Sequence, residues 1–362
     1  MPDTQLLIEL DGEPLAGEDL DQVLDVQVEE SLDEADALTL VARLEPGTDG
    51  EWTCPLDPLL TPRTPVVVEV SRGEAAYRFE GLSTEIAWQL DARRSSRLTV
   101  KAVDRTLELD LEEKVVAWPG TAESAIAEAI FSAYGLESEV EDTPSAPDPD
   151  VHVLIQRSSD WSFVRELAGR WGYAAYLEAE AGVLTGHFHA VDPLADPQGQ
   201  LALGFGGDAL DVQVEADLVA GQRVRAARIP VLSDGVQSAD SAGDDEAQGL
   251  SSLGGQATVL LSPEDVWGEV EPLAAATGLA RRSAFAVRLT VEVDTAGVGL
   301  LVRARRTLLV QGLGASLSGL YLVERVRHEL RSDRHRQRLT LARNALGLTG
   351  DEPFGDATGG IP

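Results

Sequence analysis

Leu24-Asp25-Val26-Gln27-Val28-Glu29 alternates apolar and polar side chains at period two, the pattern of a strand with one face buried and the other in water. Leu38-Thr39-Leu40 resumes it, and Asp11-Gly12 behind Leu6-Leu7-Ile8-Glu9-Leu10 signals a hairpin, because the turn needs residues that accept positive φ. From Val66-Val67-Val68-Glu69-Val70 to Leu98-Thr99-Val100-Lys101-Ala102-Val103 the strands continue between short polar turns. Residues 1–118 are expected to form a small antiparallel β-barrel or sandwich, the first β-barrel domain of the chain.

The pattern changes after Trp118-Pro119-Gly120. Thr121 is the expected helix N-cap, and Ile126, Ile130 and Phe131 recur at helical spacing until Tyr134-Gly135. A Pro/Asp-rich linker, Asp142 to Asp150, leads to a strand at Val151–Ile155. Ser159-Asp160 then caps a second helix with Trp161, Phe163, Val164, Leu167 and Ala168 on its apolar stripe and Gly172 at its end. Tyr173–Leu177 and Val183–His189 read as a hairpin turning at Ala181-Gly182. Residues 119–205 are expected to be an α+β insert domain.

Strands resume at Leu210-Asp211-Val212-Gln213-Val214-Glu215. A Ser/Gly/Asp-rich stretch from Ser233 to Gln256 predicts a mobile loop, and Pro272 suits the first turn of an alanine-rich helix reaching Arg282. Residues 286–345 are strand again, which makes 206–346 a second β-barrel domain and 347–362 a flexible tail.

The two strand-rich regions resemble each other. At an offset of 240, Leu60 falls on Leu300, Arg63 on Arg303, Val68 on Leu308, Val70 on Val310, Leu82 on Leu322, Ile86 on Val326 and Leu90 on Leu330. One residue of slip then places Arg97-Leu98-Thr99-Val100 on Arg338-Leu339-Thr340-Leu341. The expected fold is mainly β with an α+β insert, its two similar tube-like barrels forming a pseudo-hexameric ring when the chain is a homotrimer. Such a ring joins three-fold and six-fold objects without a symmetry clash.

Charge is uneven. The net charge is −33, only Lys101 and Lys114 are lysines, residues 1–60 hold 17 acids and one arginine, and residues 281–345 hold 13 arginines and five acids. The balance argues against nucleic-acid binding, which needs a positive surface. The acidic and basic segments attract each other, within one chain or between neighbours in a ring. Arg325, Arg327, Arg331, Arg334, Arg336 and Arg338 sit on two adjacent strands and their turn. They are the candidate interface or lumen residues; a solvated polar face is the simpler alternative.

The segment His152-Val153-Leu154-Ile155-Gln156-Arg157-Ser158-Ser159-Asp160-Trp161-Ser162-Phe163-Val164-Arg165-Glu166-Leu167-Ala168, followed by Gly172-Tyr173, resembles the phage late control D family of contractile-tail hub proteins. That family is also similar to the N-terminal hub part of type VI secretion spike proteins. Gly319-Leu320-Tyr321-Leu322-Val323-Glu324-Arg325-Val326-Arg327-His328 with Arg338-Leu339-Thr340-Leu341-Ala342-Arg343-Asn344-Ala345 looks like its closing hairpin. The resemblance implies a non-enzymatic baseplate hub that adapts a trimeric spike to a hexameric inner tube, with other baseplate subunits as further partners. Two departures stand out: Gly297-Val298-Gly299-Leu300 replaces a glycine-proline turn, and no oligonucleotide-binding domain or needle follows Ala345. The spike is therefore expected to be a separate polypeptide.

Chemistry is thinly signalled. His187-Phe188-His189 puts two imidazoles on one strand face, yet no clear third ligand accompanies them. Gly204-Phe205-Gly206-Gly207 and Gly312-Leu313-Gly314 read as turns, because they lack the strand-to-helix setting of a phosphate loop. Cys54 is the single cysteine and reads as a small buried residue. No catalytic, cofactor or metal site is expected. A tail-associated wall hydrolase built on a carboxylate pair, or a soluble β-sandwich binding module, are the rival classes. The N-terminus has no signal-peptide pattern and no long apolar run occurs, so the expectation is cytoplasmic assembly into a phage-tail-like particle without membrane insertion.

Overall fold

The computed structural model describes residues 4–46, 52–53, 56, 61–73, 75–91, 96–143, 146, 148–150, 153–204, 206–217, 223–228, 237–240, 258–261, 276, 278, 280 and 285–344. The chain begins with β1 (Thr4–Leu10) and β2 (Glu13–Pro14), joined through Asp11 and Gly12 at φ of 52° and 82°. A single helical turn, α1 (Glu18–Asp21), precedes β3 (Val23–Ser31), β4 (Ala37–Pro46), β5 (Trp52–Thr53), β6 (Pro65–Arg72), β7 (Ala75–Gln89) and β8 (Ser96–Asp104).

β7 belongs to two layers. Its first half pairs with β6 and its second half with β8, with a bulge between Ser83 and Glu85. Gly81 sits at the crossing, where a Cβ would lie 2.3 Å from the Val103 carbonyl oxygen. One layer is thus β1, β6 and the start of β7; the other is the end of β7 with β8, β4 and β3, all antiparallel. Ile8, Val66, Val68, Tyr77 and Phe79 of the first layer meet Val26, Val28, Leu40, Leu98 and Val100 of the second in one core. The alternation read from residues 24–29 is this inward and outward facing.

Next come α2 (Thr106–Asp110), β9 (Val116–Trp118), α3 (Glu123–Ala133), β10 (Glu137–Val140), β11 (Leu154–Gln156), α4 (Asp160–Trp171), β12 (Tyr173–Glu180) and β13 (Val183–Ala190). Ser159 caps α4 as expected, its Oγ accepting from the Ser162 N–H at 3.2 Å, and Gly172 ends the helix in left-handed conformation. Trp161, Phe163, Val164, Leu167 and Ala168 are all buried. The cap of α3 differs from expectation. Ala122, in extended conformation, holds that position without a side-chain bond, and the Thr121 hydroxyl donates instead to the Pro119 carbonyl. β12 and β13 form the predicted hairpin, with Ala181 and Gly182 both at positive φ.

The last group is β14 (Gln200–Ala202), β15 (Ala209–Ala216), β16 (Arg223–Arg228), β17 (Gln237–Asp240), β18 (Thr258–Leu261), β19 (Val287–Asp294), α5 (Thr295–Val298), β20 (Thr307–Gln311), β21 (Gly319–Arg331) and β22 (Arg334–Arg343). β17 falls inside the stretch 233–256 that was expected to be a mobile loop, and it pairs with β16. The rest of that stretch, Cys54, His152, Pro272 and the tail 347–362 lie outside the described residues; of the alanine-rich helix, Ala276, Gly278 and Ala280 are described, each helical.

This group repeats the strand order of the first. β1–β6–β7–β8–β4–β3 corresponds to β14–β20–β21–β22–β19–β15, except that β14 runs parallel to β20 whereas β1 is antiparallel to β6. The offset of 240 places the β7 bulge at Ser83 and Glu85 on the β21 bulge at Val323 and Arg325. The slip beyond it runs the other way from the sequence reading. Val100 is opposite Ile86 and Leu339 opposite Val326, so the final strands are related by 239 residues rather than 241. The error was invisible to periodicity, because two residues along a strand return to the same face.

Among the described residues, neither strand set closes into a barrel. The outer strand of the first, β3, pairs instead with the second half of β21, Arg325 opposite Ser31 through Leu330 opposite Val26. One antiparallel run of eight strands results: β7, β8, β4, β3, β21, β22, β19 and β15. Among the described residues, no helix is long and apolar enough to cross a membrane.

Candidate assembly surface

The six arginines lie where the sequence put them, on β21, β22 and their turn, and most find acids within the chain. Arg325 reaches Glu29 and Glu34 at 2.9 and 2.7 Å, Arg327 reaches Glu29 at 2.6 Å, Arg331 reaches Asp25 at 3.3 Å, and Arg336 reaches Glu292 at 2.8 Å. The β3–β21 pairing is what brings the acidic N-terminal segment against the basic C-terminal one. Arg334 is half-buried, and Arg338 is exposed beside Glu292 and Arg327 in register. These pairs are largely solvated, so each contributes little to stability.

Beneath the same seam lies a buried polar cluster that the sequence reading missed. Arg303 donates from Nε to Glu30 at 2.9 Å and from Nη2 to Glu178 on β12 at 2.7 Å, with its guanidinium over the Tyr77 ring. Arg305, at a positive φ of 67°, donates to the Ser31 carbonyl and pairs with Asp36 at 2.5 Å. His328 joins Glu30 at 3.0 Å and His335 at 3.3 Å. One signal was available: Glu30 continues the inward series Val26 and Val28, and His328 sits between Val326 and Leu330. A charge in an inward frame marks a paired interior group.

Burial determines the electrostatics here. It opposes ionisation of Glu30, but Arg303, His328 and Arg305 outweigh it and hold that carboxyl at about 2. Burial pushes Asp36 up to about 7, with the Arg305 guanidinium opposing and the Asp104 carboxylate adding to the rise. Burial, reinforced by the neighbouring His328, depresses His335 to about 3.

His187 and His189 do share one strand face, flanking Tyr176: the His187 ring stacks on it at 4.5 Å and His189 Nε2 lies 3.1 Å from its hydroxyl. They border a cavity of about 290 Å³ with Glu139, Glu178, Arg305 and Arg306. Burial, with His189, Arg305 and Arg306 beside the ring, lowers His187 to about 4. Among the described residues, no group of three His, Cys, Asp or Glu is arranged to hold a metal ion. The glycine clusters are turns: Gly206, Gly312 and Gly314 have positive φ, and Gly204 packs on the Gly312 backbone.

The two ends of the eight-strand run are different in character from its middle. Among the described residues, no strand pairs with the outer side of β15, or with the side of Thr84–Gln89 of β7 that faces away from β8. These edges carry large exposed apolar side chains: Trp88 is 55% exposed, Leu90 55%, Leu210 55% and Val214 40%.

A family model described as the Alg8 N-terminal domain matches residues 4–332. No curated protein matches the chain in sequence. Among solved structures, the chain is similar to the 43 kDa tail protein of prophage MuSo2 from Shewanella oneidensis, at 13% identity and a TM-score of 0.66, with 95% of this chain and 99% of that one covered. It is similar to a tail protein from Neisseria meningitidis MC58, at 13% identity and a TM-score of 0.65, covering 94% and 97%. It is also similar to an E. coli component of the type VI secretion system that exhibits structural similarity to the T4 bacteriophage tail proteins gp27 and gp5, at 12% identity and a TM-score of 0.54, covering 93% and 76%. At such identities the likeness is one of fold.

Proposed function

We propose that this chain, which belongs to the Alg8 N-terminal domain family, is a structural baseplate hub of a contractile tail or injection system, adapting a trimeric spike to a hexameric inner tube. The observation that carries this reading is the strand order that occurs twice in one chain. Three copies then present six equivalent units, the number a six-fold tube needs, while the assembly keeps the three-fold symmetry of a spike. The fold shared with a prophage tail protein and with a tail protein from Neisseria meningitidis supports the same setting.

In this proposal residues 1–118 and 206–346 are the two ring-forming domains, 119–205 is the insert between them, and 347–362 is a tail. Partners are two further copies of the chain, a spike protein, an inner tube protein and other baseplate subunits. The arginine row of β21 and β22 belongs to the charged face that lines the lumen or a subunit contact. Light scattering across several salt concentrations tests the reading. A trimer supports the six-unit ring; a monomer at every salt concentration, also with tube and spike proteins added, removes it.

A further inference from the structure

We infer that neighbouring copies join strand to strand, the end of β7 with the residue that follows it, Ile86–Leu90, in one copy pairing antiparallel with Val212–Ala216 of β15 in the next. The register sets Ile86 opposite Ala216, Trp88 opposite Val214 and Leu90 opposite Val212. The inference rests on the hub reading for the number of copies and adds the contact that closes the ring.

The template is inside the chain. The seam between the two strand sets is the pairing of β21 with β3, with Val326 opposite Glu30, His328 opposite Val28 and Leu330 opposite Val26. Each partner has an equivalent in the other set. The matched bulges relate β21 to β7 by 240 residues, so Val326, His328 and Leu330 correspond to Ile86, Trp88 and Leu90. For β3, Val26 lies opposite Leu40 and Leu40 opposite Val100; Val212 lies opposite Val291 and Val291 opposite Leu339. Val100 corresponds to Leu339, so Val26, Val28 and Glu30 correspond to Val212, Val214 and Ala216. The unpaired edges are therefore the equivalents of the two strands that already make the internal seam.

Three further observations agree. The eight strands alternate in direction, so β15 at one end and β7 at the other run oppositely and a second copy continues the antiparallel pattern without a parallel junction. Exposure fits the same scheme: His328, Leu330 and Val28 at the internal seam are 0%, 1% and 0% exposed, whereas their equivalents Trp88, Leu90 and Val214 are 55%, 55% and 40%. Long apolar edge strands left open invite association with another chain. Neither Ile86–Leu90 nor Val212–Ala216 contains a proline, or a lysine that would blunt pairing.

The test is disulfide capture on the full chain with Cys54→Ser. Ala87→Cys combined with Glu215→Cys occupies a directly opposed pair, within disulfide reach. Gln89→Cys with Glu215→Cys is displaced by two residues and lies beyond it. The expected result is a trimer by light scattering in which mild oxidation gives covalent dimers and trimers for the opposed pair, about tenfold more than for the displaced pair. A trimer that yields no covalent product, or yields it from the displaced pair, overturns the register while leaving the hub ring standing. A monomer at every salt concentration with no covalent product overturns both.

Discussion

Arg303 Nε stands 2.9 Å from Glu30 Oε2 in the interior, with side-chain exposures of 9% and 0%. The same guanidinium holds Glu178, so one residue of the second strand set fixes both β3 and β12. Desolvation makes such a pair costly to break, because the carboxylates left behind cannot rehydrate. Arg303→Met should cost about 3–5 kcal/mol, read as a fall in the urea unfolding midpoint. Adding Glu30→Gln to that variant should return part of the loss. An unchanged midpoint for Arg303→Met would show that the bridge contributes no net stability.

The histidines beneath the seam make stability depend on pH. His335 is buried with its Nδ1 unpartnered, and burial followed by the His328 charge depresses it to about 3. The unfolded ring titrates near 6.5, so between about pH 3 and 6.5 unfolding takes up a proton and stability falls as pH falls. Asp36 acts in the opposite sense: its raised pKa makes the folded state retain a proton between about 4 and 7, so stability there falls as pH rises. His335→Gln should shift the slope of unfolding free energy against pH by up to about 1.4 kcal/mol per unit between 3 and 6.5. Thermal melts across that window read the difference, and parallel curves for variant and parent would remove His335 as the cause.

Local signals made much of this fold legible. Ser159, Gly172 and the Ala181-Gly182 turn act through their own backbone geometry, and each lies where sequence placed it. The repeat was legible too, because buried positions at a fixed offset leave the same apolar marks. What failed were statements about pairing. The β22 register was misplaced by two residues because Leu98 and Leu339 both face inward, and closure of each strand set was expected where β3 in fact crosses to β21. The crossing depends on contacts between segments roughly 300 residues apart, which local periodicity does not encode, and a two-residue shift along a strand leaves every side chain on the same face. The buried charges were overlooked for a related reason. Arg303, outside any strand, looks like an ordinary surface residue until its contacts with Glu30 and Glu178 place it inside, whereas Glu30 was marked only by its position after Val26 and Val28.

The cap of α4 offers a contained check on the insert. The Ser159 hydroxyl accepts from the Ser162 N–H and also contacts Asp110 on α2. Ser159→Ala should cost about 1 kcal/mol, and amide exchange should quicken first at the start of α4. Equal protection of those amides in both proteins would show that the cap is not what orders the turn.

The arginine row separates seam stability from assembly. Arg325 and Arg327 both contact Glu29, with exposures of 38% and 46%, so solvent screens the pairs and each is worth at most about 1 kcal/mol. Reversing both to glutamate changes the net charge of each chain from −33 to −37. Seam stability should therefore drop only slightly, while repulsion between copies grows at low ionic strength. Light scattering on Arg325→Glu/Arg327→Glu should show a smaller mass than the parent at low salt and recovery at high salt, with a nearly unchanged unfolding midpoint. Unchanged mass at low salt would confine these arginines to the pairing within one chain, and a loss of several kcal/mol would make them structural members of the seam.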